Sequence, residues 1–157
     1  MTDAGPHRLD AVVIDAVSLA PASPEQEHER QIAISDLLAA NHFEPEGAPG
    51  GPYRLRIGLV EMRLDLDITG DGWSMRHVLS LAPFRRIVRD YLAILQSYYA
   101  AVHNATPSQI ESIDMGRRGL HNEGADLLRE RLEGKVKLDM PTARRLFTLL
   151  CALHWRG

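Results

Sequence analysis

The chain has 157 residues, 45% hydrophobic and 25% charged, with a formal charge of −3, a size and balance that suit one soluble domain with a core of its own. Its one cysteine, Cys151, excludes an internal disulfide and a four-thiolate zinc site. The opening "MTDAGPHRLD" lacks the basic and apolar stretches of a secretory signal, and no apolar run approaches the ~20 residues of a membrane span.

Residues 8–19, "RLDAVVIDAVSL", are rich in β-branched side chains and read as a strand. Ser23, Pro24 and Gln26 form a capping box with proline at the first helical position. They open a helix over 24–41 whose apolar face is Ile32, Leu37 and Leu38 with Ala33 and Ala40. "EPEGAPGGP", residues 44–52, reads as a loop. Then Leu55, Ile57 and Leu59 alternate, as do Leu64, Leu66 and Ile68, which makes a hairpin turning near Val60–Glu61. Arg54 and Arg56 are expected to pair with Asp65 and Asp67 across its wet face. Residues 76–81 read as a further strand.

Pro83 opens a long helix on which Phe84, Ile87, Val88, Tyr91, Leu92, Leu95, Tyr99 and Val102 repeat at three and four. Thr106, Pro107 and Gln109 repeat the capping pattern before a helix over 107–133. "KVKLD" (135–139) reads as a short strand, and Asp139 caps a last helix that is apolar around most of its circumference. Such a helix belongs at the centre of the fold or at a subunit interface. The order β-α-β-β-β-α-α-β-α defines an α+β fold, a single domain over 1–157 with residues 1–7 as a flexible end. Its sheet is mostly antiparallel, of about four to five strands, with about four helices on one face.

The stretch "IDMGRRGLHNEGADLL" (113–128) has two physical readings. In one, the chain breaks at Gly116–Gly119, Asn122 caps a new helix, and Arg117 and Arg118 hold an anion at its N-terminus, without the spacing of a Walker loop or a dinucleotide fingerprint. In the other, the helix is continuous. Ile110, Ile113, Leu120, Leu127 and Leu128 then share one stripe with Arg117 and Gly124. That stripe favours the continuous helix. Each interior glycine costs about 1 kcal/mol against alanine, so Gly116, Gly119 and Gly124 need a reason, and close packing supplies one. A semi-buried Asp114–Arg117–His121 cluster is expected, since three- and four-residue spacings make these side chains neighbours. It extends to Arg118, Asn122 and Glu123 as a candidate ligand-binding edge.

Residues 1–75 carry 13 acidic and 5 basic side chains, net −8; residues 76–157 carry 13 basic and 8 acidic, net +5. Arg85, Arg86, Arg89, Arg144 and Arg145 are therefore a candidate basic patch. No nucleophile elbow, metal-ligand spacing or cofactor motif is present, so no metal and no cofactor are expected. Glu25 and His28 have di-iron helix spacing in a single copy, which fits a solvated face. Cys151 among leucines reads as an inert thiol. His154, Trp155 and Arg156 form a terminus that either packs or meets a partner.

"LAPFRRIVRDY", "TPSQIESIDMGRRGLHNEGADLL", "RLEGK" and "TARRLFTLLCALHWRG", with the earlier "SPEQEHERQIAI" and "GPYRLRI", span nearly the whole chain. In these runs the sequence resembles the bacterial uncharacterised protein family 0262. That resemblance implies no activity, cofactor or catalytic residue. The first expectation is a non-enzymatic cytoplasmic binding or adaptor domain without membrane contact, taking a protein partner or forming a homodimer through its apolar last helix. The alternative is a phosphate-directed activity on RNA or a nucleotide, using the arginines and His121.

Overall fold

The computed structural model describes residues 5–15 and 22–154. The elements are β1 (Leu9–Ile14), α1 (Pro24–Ala39), β2 (Phe43–Pro45), β3 (Tyr53–Val60), β4 (Arg63–Gly70) and β5 (Trp73–Ser80). A 3-10 turn (Ala82–Phe84) leads to α2 (Arg85–Asn104), α3 (Pro107–Arg131), β6 (Val136–Leu138) and α4 (Met140–His154). Extension of the first strand to residue 19, and the side chains of the His154–Arg156 terminus, lie outside the described residues.

The main sheet has the order β1-β3-β4-β5. β1 runs parallel to β3, with α1 in the crossover between them, and the other two pairings are antiparallel. Alternation does what the sequence implies: Leu55, Ile57, Leu64, Leu66, Ile68 and Leu79 are buried on the helix side. The fold is α+β, with one strand more than the sequence order predicts. β2 pairs antiparallel with β6, Phe43 opposite Leu138 and Pro45 opposite Val136. Three residues ending in proline show no period, so the predicted loop over 44–52 begins inside a strand. Near the start of the chain, Gly5 and His7 accept backbone hydrogen bonds from the rest of the fold. Gly51 N–H donates to the Gly5 carbonyl at 3.2 Å and Phe43 N–H to the His7 carbonyl at 2.9 Å.

Two local expectations are revised. The hairpin turn falls on Glu61 and Met62, both left-handed at φ 50° and 62°, although neither residue favours that region. On the wet face, Asp65 takes Arg76 of β5 at 2.6 Å, with Asp67 at 3.9 Å, while Arg56 turns to Asp15 at 3.4 Å. The ion pairs thus reach outward to the edge strands instead of closing across the β3–β4 hairpin.

The helical layer covers the other sheet face. α4 packs on α1 and α3, and α2 packs on α3. Ala143, Leu146, Phe147, Leu149, Leu150, Cys151 and Leu153 are all buried, so α4 takes the central position of the two that its apolar circumference allows. Its apolar surface is used within the chain, which removes the sequence-based reason for dimerisation through this helix. Both capping boxes form, Ser23 with Gln26 and Thr106 with Gln109, and Asp139 accepts from Thr142 N–H at 2.9 Å at the start of α4.

Candidate functional site

α3 is continuous through its glycines, so the broken, anion-holding loop is not formed. Two of the three glycines have the packing reason expected. A Cβ on Gly124 would come within 2.3 Å of the Phe147 ring of α4, and one on Gly116 within 2.8 Å of Ile94 Cδ1 on α2. Gly119 meets nothing within 4 Å, so close approach does not explain it.

Asp114 and Arg117 pair as expected, and both are semi-buried, at 18% and 25% exposure. Arg117 donates to Asp114 Oδ1 through two nitrogens at 2.7 and 3.0 Å, and Arg118 Nε lies 3.0 Å from Oδ2. One carboxylate thus holds two guanidinium groups, and the Arg117 hydrogen bond does most to keep its pKa below the ordinary range. The Arg117 guanidinium also lies 5.3 Å over the Tyr98 ring.

His121 departs from the expected cluster. Its Nε2 is 3.0 Å from the Arg144 carbonyl and 2.8 Å from Thr148 Oγ1, both on α4. A carbonyl only accepts, so Nε2 carries the proton. The ring stacks on Tyr91 at 5.3 Å and tilts against Phe147 at 6.0 Å. Burial lowers its pKa, reinforced by the nearby Arg117 and Arg144 charges and opposed by the carbonyl bond. Asn122 likewise serves the α3–α4 seam, accepting from Arg144 Nε at 2.7 Å. Glu123 turns to α2 and takes Arg86 at 3.1 Å.

The candidate basic patch is dispersed by the same bonds. Arg86 also meets Asp90 at 3.3 Å, Arg89 meets Asp90 at 3.6 Å, and Arg145 donates to the Ala40 carbonyl at 2.7 Å. Arg85 is exposed at the start of α2. A phosphate would have to compete with carboxylates for Arg86 and Arg89.

A different feature stands open. α1 packs on α4 and α2 on α3, but α1 and α2 are not among the closely packed pairs. Between them runs a furrow of about 280 Å³ floored by Thr148, Cys151 and Ala152 of α4. Ile32 lines one side, Leu92, Leu95 and Tyr99 the other, and Arg117 a wall. Ile32 and Tyr99, placed by the sequence on apolar helix faces, are 48% and 56% exposed. Periodicity identified the apolar stripes; it could not show that their helices stay apart. Burial pushes the Cys151 thiol well up, which keeps it protonated and inert.

A larger hollow of about 710 Å³ lies at the far end of the sheet, remote from α3. Five glycines are among its lining residues, and a Cβ on Gly5 would fall 1.8 Å from the Gly51 carbonyl oxygen.

Sequence reading also missed three polar devices. Arg30, 7% exposed on α1, donates from Nε to the Ala152 carbonyl at 3.0 Å and from a second nitrogen to the Leu153 carbonyl, so it caps the end of α4. Asn41 brackets Leu9, accepting from its N–H at 2.7 Å and donating to its carbonyl at 3.1 Å, which covers part of the β1 edge. His7 Nδ1 lies 2.6 Å from the Tyr53 hydroxyl, and Glu44 Oε1 stands between His7 and His42 at 3.9 and 3.4 Å. Among the described residues no group of three or more His, Cys, Asp or Glu side chains is arranged to hold a metal ion.

Fold and site together define a small α+β domain with an open furrow in its helical layer. The chain belongs to the uncharacterised protein family UPF0262, whose model matches residues 6–156. It is 63% identical over 151 residues to a UPF0262 protein of Phenylobacterium zucineum, covering 96% of this chain and 95% of the relative. It is 62% identical over 151 residues to one of Caulobacter vibrioides, with the same coverage. A UPF0262 protein of Rhizobium meliloti is 58% identical over 152 residues, covering 96% of each chain. No solved structure matches the chain. Among the described residues, no helix is long and apolar enough to cross a membrane.

Proposed function

We propose that the protein is a non-enzymatic binding domain that receives a segment of a partner protein in the furrow between α1 and α2. One observation carries this reading: Ile32 and Tyr99, at 48% and 56% exposure, face a ready-made trough whose floor is already packed. Leu92, Leu95 and Tyr99 recur at i, i+3 and i+7, so α2 offers a continuous ridge rather than scattered apolar atoms. A helix laid into such a groove is a recurring mode of recognition, and a partly exposed tyrosine is a favoured anchor. The arginine and histidine cluster supports this site by fixing α3 against α2 and α4. The single free cysteine fits a cytoplasmic setting, which this reading adopts.

The test compares the native size of the tagged, full-length protein from its bacterial host with that of two variants. Ile32→Asp should lose any species larger than the 17.5 kDa chain, while Val78→Asp, on the open sheet face, should retain it. A complex that survives Ile32→Asp, or a chain that runs only as free monomer in the wild type, contradicts the proposal.

A further inference from the structure

Resting on the furrow reading above, we infer that the occupant is a cationic amphipathic helix, recognised through its charge as well as its apolar stripe. Glu25, Glu29, Ile32 and Asp36 recur along α1 at spacings of four, three and four, which places them on one side of that helix. Glu29, Ile32 and Asp36 line the furrow itself.

Among the described residues, Glu25, Glu29 and Asp36 have no ion pair and no hydrogen-bonded side-chain partner. Some carboxylates elsewhere are matched within the chain, since Asp114 holds two arginines, Glu123 and Asp90 hold Arg86, and Asp65 holds Arg76; what sets Glu29 and Asp36 apart is their place on the furrow. Among the described residues, the one cation lining the furrow, Arg117, is neutralised by Asp114. The trough is therefore apolar on its α2 side and carries uncompensated negative charge on its α1 side.

A helix lying in it would set an aliphatic stripe against Leu92, Leu95 and Tyr99. Lysines or arginines on its adjoining flank would run their methylene stems over Ile32 and bring their charges to Glu29 and Asp36. A segment with acidic flanks would face the same carboxylates without compensation, so the charge discriminates as well as attracts.

The probes are two synthetic helical peptides with the same leucine stripe, one flanked by lysine and one by glutamate. The lysine peptide should bind the full-length protein roughly ten-fold more tightly, with the margin shrinking as salt is raised. In the double variant Glu29→Lys, Asp36→Lys, the preference should reverse; both positions are exposed, and the melting temperature checks that the fold is kept. Equal affinities, a preference that survives the reversal, or failure of both peptides to bind would overturn the cationic helix. If the peptides bind but Tyr99→Asp and Ile32→Asp leave their affinities unchanged, the furrow reading fails as well. Loss of binding in those variants without any charge preference keeps the furrow and rejects only the charge.

Discussion

The Phe147 ring lies against the backbone of Gly124, so close that a Cβ there would fall 2.3 Å from Cζ. This contact joins α3 to α4 at the level where His121 also crosses to Thr148. Alanine at 124 gains about 1 kcal/mol of helix propensity, but the ring is fully buried and has nowhere to move. Overpacking of this kind costs about 1–3 kcal/mol, so Gly124→Ala should destabilise. Gly119→Ala, on the same helix with nothing within 4 Å, should stabilise by about 0.5–1 kcal/mol. Urea denaturation of the two variants checks the opposite signs.

Arg30 ties α1 to the last carbonyls of α4 from a buried position. Arg30→Ala leaves those carbonyls without their donors and removes a charge that complements the helix end. A loss of about 2–3 kcal/mol is expected in chemical denaturation. Arg30→Lys should recover only part of it, because one ammonium cannot serve two carbonyls with the geometry of a guanidinium.

His121 sets a direction for the pH dependence. Its folded pKa is lowered from the ordinary 6.5 by burial, with Arg117 and Arg144 adding to the effect. The unfolded chain therefore takes up the proton first as pH falls. Stability is complete above about 6.5, declines below it, and levels off once pH passes the lower folded value. His77 acts in the same direction through burial and the Lys135 charge. His121→Gln should flatten part of the decline between pH 7 and 5, read as denaturation midpoints across a pH series. A steeper slope in the variant would contradict the assignment.

Much of the fold was legible because its signals are local. Ser23 with Gln26, Thr106 with Gln109, and Asp139 all cap the helices they mark. The alternation of Leu55, Ile57, Leu64 and Leu66 names the buried face of the sheet. What escaped depends on distant partners. β2 is a strand only because Val136–Leu138, ninety residues further on, lies beside it. Glu61 and Met62 adopt left-handed backbone under the demand of the β3–β4 register, with no turn signal of their own. Arg30 looks like any solvated helix residue until α4 ends against it. In the site, Asp114 and Arg117 were readable from their spacing, whereas His121 left Arg117 for a carbonyl on α4. The furrow was invisible because periodicity marks Ile32 and Tyr99 as apolar stripes and cannot report that their helices do not meet.

If the furrow between α1 and α2 is where a partner docks, a photoreactive residue placed at Tyr99 will report it in living cells. The expected result is a covalent adduct with one protein from position 99, lost when Ile32→Asp is added, and none from the exposed Val78 on the opposite side of the molecule. Because Ile32 and Tyr99 are half exposed, these changes should cost no more than about 1 kcal/mol of stability. Absence of any adduct at position 99, or an adduct indifferent to Ile32→Asp in a protein that melts as the wild type does, would contradict the docking role of the furrow.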